Sequence, residues 1–165
     1  MYSIELGKTG LQVPTVAVGC MRISKMDEKA VSAFIHTALE QGANYFDHAD
    51  IYGDGNSEIV FGKAVPPSLR EQLLIQTKCS IVPGKRFDFS YEHIMASVEG
   101  SLKRLGMEYV DVLLLPELSL TGYSCGDLFY QDTLLTSAKD ALLQLAETTK
   151  SHSRLHVIAG VPIRL

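Results

Sequence analysis

The chain has 165 residues, 46% of them hydrophobic and 21% charged, with a formal net charge of −4. That length holds one domain with a proper core and leaves no room for two full ones. An acidic balance with no run of lysines or arginines lacks the electrostatic footprint that a phosphate backbone or an anionic membrane selects, which excludes nucleic acid and membrane as partners.

In chain order, "YSIEL" and "LQVPTV" flank "GKTG" and predict a small hairpin that caps one end of a sheet. "VAVGCM" is the first core strand. The helix after it begins near Asp27, buries Ala30, Val31, Phe34, Ile35, Ala38 and Leu39, and stops at Gly42, which suits a left-handed position after the last turn. "ANYFDHA" predicts the second strand, and "SEIVFGKAV" a short helix with Asn56 and Ser57 available as caps and Pro66 and Pro67 at its end. After the third strand, "LLIQTKC", Ser90 caps a helix whose stripe is Ile94, Val98, Leu102 and Leu105 and whose stop is Gly106. "YVDVLLL" is the fourth strand. A helix after Asp132 places Leu134, Leu135, Ala138, Leu142 and Leu145 on one side, and "LHVIAGV" is the fifth strand. Nearly continuous apolar strands alternating with helices predict an α/β fold: one domain, 1–165, with a parallel sheet of about five strands and flanking helices.

No apolar stretch approaches the roughly 18 residues of a membrane span, and "MYSIELGKTG" has neither a basic nor an apolar leader region, so the expected location is the cytoplasm. Cys20, Cys79 and Cys125 are scattered and odd in number, which predicts reduced structural thiols. His152 and His156 stand four apart without an H-E-x-x-H context, and no metal site is predicted. "GDGNSE" reads as a turn with a cap, since it lacks the spacing of a phosphate loop.

In parallel α/β folds chemistry collects beyond the carboxyl ends of the strands. Asp47, His48, Asp50 and Tyr52 follow the second strand, and Lys78 ends the third. A lysine beside a phenol and a carboxylate makes the phenol a better proton donor to a carbonyl. The plainer alternative pairs Asp47 with Lys78 as an ordinary ion pair and leaves Tyr52 a half-exposed aromatic. His48 and Asp50 are read as sheet-end hydrogen bonders, His36 and His93 as solvated helix residues.

"LGKTGLQVPTVAVGCMRIS", "YFDHADIYGDGNSEIVFGKAV", "LREQLLIQTKC" and "SVEGSLKRLGMEYVDVLLL" together resemble the N-terminal half of an aldo-keto reductase, from about residue 6 to residue 115. The resemblance implies an eight-fold βα barrel, NADPH, and a tetrad of Asp, Tyr, Lys and His. Asp47, Tyr52 and Lys78 occupy the first three places, and Pro116 stands where the histidine is expected. "PELSLTGYSCGDLFYQDTLL" and "LHVIAGVPIRL" resemble the nitrilase-type glutamine amidase domain of glutamine-dependent NAD synthetases, an α-β-β-α sandwich, with Glu117 in the general-base place of its Glu, Lys, Cys triad. By that motif Cys125 is not the nucleophile, and the sequence ends at Leu165 ahead of the triad's lysine and cysteine.

Together the two resemblances imply a chimera of segments 1–115 and 116–165. In it Asp47, Tyr52, Lys78 and Glu117 are inherited positions without function, the chain is no enzyme, and it takes no cofactor. One alternative is residual NADPH-dependent aldo-keto reductase activity with Glu117 in the histidine's stead. Another is a small-molecule or carboxylate binding module that uses Lys78 without turnover. Five strands do not close a barrel of eight, so three outcomes are open: a doubly wound sheet, half-barrels paired as a homo-oligomer, or a segment-swapped assembly. Self-association is the expected one.

Overall fold

A computed structural model describes residues 1–84, 86–152 and 154–163. The predicted hairpin is there, as β1 (Ser3–Glu5) antiparallel to β2 (Gln12–Pro14). The βα repeats follow as β3 (Val18–Gly19), α1 (Glu28–Glu40), β4 (Tyr45–Asp47), α2 (Asn56–Ala64) and β5 (Leu74–Lys78). A second hairpin, β6 (Ile81–Val82) with β7 (Arg86–Phe87), precedes α3 (Tyr91–Leu105). The chain continues through β8 (Val112–Leu114), α4 (Asp132–Thr149) and β9 (His156–Ile158).

The main sheet is parallel throughout, in the order β3-β4-β5-β8-β9. Strands adjacent in sequence are adjacent in space, so there is no switch point. This rules out the doubly wound arrangement and leaves the half-barrel. Register assigns the two faces: Phe46 pairs with Ile75, while Asp47 pairs with Gln76 and Lys78 with Leu114. Side chains alternate along each strand. Phe46 and Ile75 therefore join Val31 and Ile35 of α1, Phe61 of α2 and Leu105 of α3 in the main core. Phe46 and Phe61 pack 5.2 Å apart, each contributing about 1.5–3 kcal/mol by burial. On the opposite face Tyr45, Leu74, Val112 and Ile158 meet Val13, Leu6 and Leu11. The first hairpin thus plugs one end of the concave face and leaves the end at the strand carboxyl termini open.

Local chemistry explains the helix ends. Asp27 accepts from the Ala30 N–H at 2.8 Å, Ser90 accepts from His93 N–H at 3.3 Å, and Gly106 closes α3 at φ +65°. The start of α2 departs from expectation. Gly55, at φ +84°, is its cap, because Asn56 donates to the Ser24 carbonyl and the Ser57 hydroxyl to the Cys20 carbonyl. Both predicted caps are used instead to tie α2 to the segment after β3. Gly62 lets α2 approach the end of α3, since a Cβ there would overlap the Leu105 carbonyl. In α4 only Ala138 of the predicted stripe is fully buried; Leu134, Leu135, Leu142 and Leu145 are half-buried. Among the described residues no helix is long and apolar enough to cross a membrane.

Candidate active site at the carboxyl ends of the strands

The open end of the half-barrel is a cleft of about 520 Å³. Tyr52, Lys78 and Glu117 all line it, so the structure brings together three of the four predicted positions, and Asp47 joins them through Lys78. β4 and β5 aim Asp47 and Lys78 inward from neighbouring strands, and the Lys78 ammonium is ion-paired with Asp47 Oδ1. Both side chains of the pair are about a quarter exposed, so this is a rim pair and not a sealed one. The same ammonium lies 5.1 Å from the centroid of the Tyr52 ring. A turn places that ring, with Tyr52 N–H donating to the Ala49 carbonyl at 3.1 Å.

Beneath the pair lies a hydrogen-bond chain that the sequence reading missed. The Tyr45 hydroxyl donates to Gln76 Oε1 at 2.5 Å, and Gln76 Nε2 donates to Asp47 Oδ1. Burial, and then the Asp47 charge, push the Tyr45 phenol up to about 12, so it keeps its proton and acts as a donor. Asp47 is thereby fixed from below by Gln76 and from above by Lys78. The alternation of strands held the signal: Tyr45 and Gln76 each lie two residues before a predicted site residue and so on the same face.

A second missed network joins the layers. Glu58 of α2 is completely buried, accepts from the Thr77 hydroxyl at 2.7 Å and pairs with Arg104 Nε at 2.8 Å. Asp50, on the cleft wall, sits close enough to Glu58 that burial, followed by that negative charge, raises its carboxyl above the usual range.

His48 corrects a prediction. It makes no side-chain hydrogen bond: both ring nitrogens are buried and unpartnered, and the ring lies edge-on to Phe61 at 4.5 Å. Burial and then Lys78 lower it to about 3, so the imidazole is neutral. His36 is exposed as expected, whereas His93 is half-buried with Nε2 3.4 Å from the Ser97 hydroxyl. Cys20 and Cys79 are buried free thiols, both raised chiefly by desolvation, and Cys125 is half-buried and free. The two buried thiols fit the structural reading and not a nucleophilic one. Among the described residues no cluster of three or more His, Cys, Asp or Glu could hold a metal.

Glu117 follows β8 at the cleft's edge. It is exposed and accepts from the Tyr123 hydroxyl at 3.0 Å. Its own backbone N–H, and then Tyr123, hold the carboxyl below the ordinary range. It is therefore a carboxylate at neutral pH and has no proton with which to polarise a carbonyl, so it does not do a histidine's work. Gly160 packs directly on its backbone, where a Cβ would overlap the Glu117 carbonyl.

The donor set also tests the dinucleotide that the resemblance implies. Phosphate groups need cations or clustered N–H donors. Among the described residues lining the cleft Lys78 is the one cation, and Asp47 already occupies it. The lining fits the reacting end of such a cofactor but not its phosphates. What the arrangement offers chemically is a phenol beside an ammonium that a carboxylate holds in place.

Comparison with known proteins agrees with this geometry. The model of the aldo/keto reductase family matches residues 15–118. A 6-dehydroglucose reductase of Novosphingobium aromaticivorans is 29% identical over 158 residues, covering 88% of this chain and 51% of that protein. An uncharacterized oxidoreductase of Bacillus subtilis is 37% identical over 128 residues, covering 70% of this chain and 42% of that protein. An aldo-keto reductase from Bacillus halodurans, solved in its holo form, superposes with a TM-score of 0.67 at 26% identity, covering 96% of this chain and 50% of that one. A thermostable aldo-keto reductase solved with the inhibitor epalrestat gives a TM-score of 0.67 at 25% identity, with 96% and 53% covered. The chain spans about half the length of the relatives it matches.

These matches overturn the expectation that the chain is no enzyme: the family and its neighbours are oxidoreductases. The structural matches also run through residues 116–165, so the two-parent reading of that segment has its motif alone behind it.

Proposed function

The chain belongs to the aldo/keto reductase family, and from that membership we propose that it carries the oxygen-side half of a carbonyl reductase site, working in the cytoplasm. Reduction of a carbonyl adds a hydride at carbon and a proton at oxygen. Tyr52 delivers the proton, Lys78 stabilises the charge that remains on the phenol, and Asp47 holds Lys78 in place. A reduced nicotinamide supplies the hydride when bound. The observation that carries this reading is the convergence of Lys78 on both Asp47 and the Tyr52 ring at the open end of the sheet. A carboxylate-binding module built on Lys78 is the weaker reading, because Asp47 already takes the ammonium.

The test is aldehyde-dependent oxidation of a reduced nicotinamide, compared between the native chain and Lys78→Met. A sugar aldehyde belongs among the substrates, since the Novosphingobium relative is named a 6-dehydroglucose reductase. Turnover that falls about a hundredfold in the variant supports the assignment. Turnover that is unchanged removes Lys78 from the site. A companion proposal is self-association, because β3 and β9 are both edge strands of the main sheet. The mass in solution tests it: a dimer or larger species supports it, and a cooperatively unfolding monomer contradicts it.

A further inference from the structure

Three aromatic rings from segments far apart in the chain gather beside Glu117, which lines the cleft. Phe87 of β7 stacks on Tyr123 at 4.6 Å, with interplanar angle 28°, and Phe89 lies parallel to Phe87 at 6.2 Å. Packed slabs of this kind are usually covered, yet Phe87 is 47% exposed and Tyr123 is 38% exposed. The slab is joined to the site already described, since the Tyr123 hydroxyl donates to Glu117 and Glu117 lines the same wall as Lys78 and Tyr52.

Among the described residues, the charge left unpaired at this rim is negative. Glu117 is an exposed carboxylate, and Asp50 is the other acidic group of the wall. Lys78 is neutralised by Asp47, and in the hairpin Arg86 is neutralised by Asp88 at 2.8 Å. Among the described residues, the Glu117 charge therefore has no basic partner. Open aromatic faces present negative π density, and a carboxylate at the edge of the slab adds to it.

We propose that Glu117, Tyr123 and Phe87 form a subsite for an organic cation, an alkylammonium or guanidinium group carried by the carbonyl substrate. This rests on the reductase reading and names its substrate class: an aldehyde with a positive group at the end remote from the carbonyl. The cation sits against the ring faces and the carboxylate while the carbonyl reaches Tyr52 and Lys78. No bond is made at the subsite; it selects by charge.

Two measurements test this on the full chain. In the first, tetramethylammonium and a neutral, water-soluble compound of similar shape, neopentyl alcohol, are titrated while the Tyr123 and Phe87 ring resonances are followed by NMR. The expected result is saturable shifts with the cation, about tenfold weaker affinity for the alcohol, and loss of that preference in Glu117→Gln and Tyr123→Leu. In the second, kcat/KM is compared for trimethylammonio-propanal and its tert-butyl analogue. The expectation is a preference of about tenfold for the cationic aldehyde, lost in Glu117→Gln. Equal binding of cation and alcohol, or a preference that survives both substitutions, overturns the subsite. Absence of turnover with either aldehyde refutes the reductase reading instead, and the NMR titration still decides the subsite by itself.

Discussion

His48 makes the stability of this fold depend on pH in a predictable direction. Its imidazole ordinarily takes a proton near 6.5, and in the folded chain that is lowered to about 3 by burial and by Lys78. Between those values the unfolded chain binds a proton that the folded chain refuses, so stability is complete above about 6.5 and declines as the pH falls toward 3. At 1.36 kcal/mol for each pH unit, going from pH 7 to pH 4 costs about 3 kcal/mol from this residue alone. That is a large share of the roughly 5–15 kcal/mol that holds a domain together. Urea unfolding of the native chain and of His48→Leu at both pH values isolates it, because the remaining histidines and carboxylates titrate in both proteins. The native chain is expected to lose about 3 kcal/mol more than the variant over that interval. An equal loss in the two, or a His48 resonance titrating near its ordinary value, would refute the reasoning.

Gly62→Ala drives a methyl group into the Leu105 carbonyl and is expected to cost about 1–3 kcal/mol in thermal or urea unfolding, as overpacking does. Glu58→Gln removes the charge facing Arg104, whose side chain is 27% exposed; partial hydration limits the expected loss to about 2 kcal/mol in the same assay. Gly160→Ala pushes against the Glu117 backbone at the cleft wall, so KM for an aldehyde should rise more than kcat falls, which steady-state kinetics separates.

The elements that local chemistry determines were legible in the sequence. Asp27, Ser90 and Gly106 act within one turn of their own helices, so their roles show without knowledge of the fold. The strand-end cluster of Asp47, Tyr52 and Lys78 was legible too, because parallel α/β sheets bring such ends together. The Tyr45–Gln76–Asp47 chain depends on the register of β4 against β5, which no single segment encodes. His48 looked like a hydrogen bonder by residue type, and only the packing of Phe61 shows it in an apolar pocket. The slab of Phe87 and Tyr123 unites a hairpin of two-residue strands, too short for any periodicity, with a loop beyond β8. Past Leu115 the sheet continues as the predicted fourth and fifth strands require, with Leu115 N–H donating to the Ile158 carbonyl at 2.8 Å beyond the paired Leu114 and Ile158; the amidase resemblance of "PELSLTGY" lay in that motif alone.

The most direct measurement uses a phosphate-free dihydronicotinamide as hydride donor, so that the phosphate contacts absent from the cleft lining play no part. Aldehyde reduction is followed for the native chain and for Tyr52→Phe. A rate at least about a hundredfold lower in the variant is expected, with the fold intact by circular dichroism, because in the proposed reading the phenol supplies the proton to the carbonyl oxygen. Equal rates for the two proteins would contradict it.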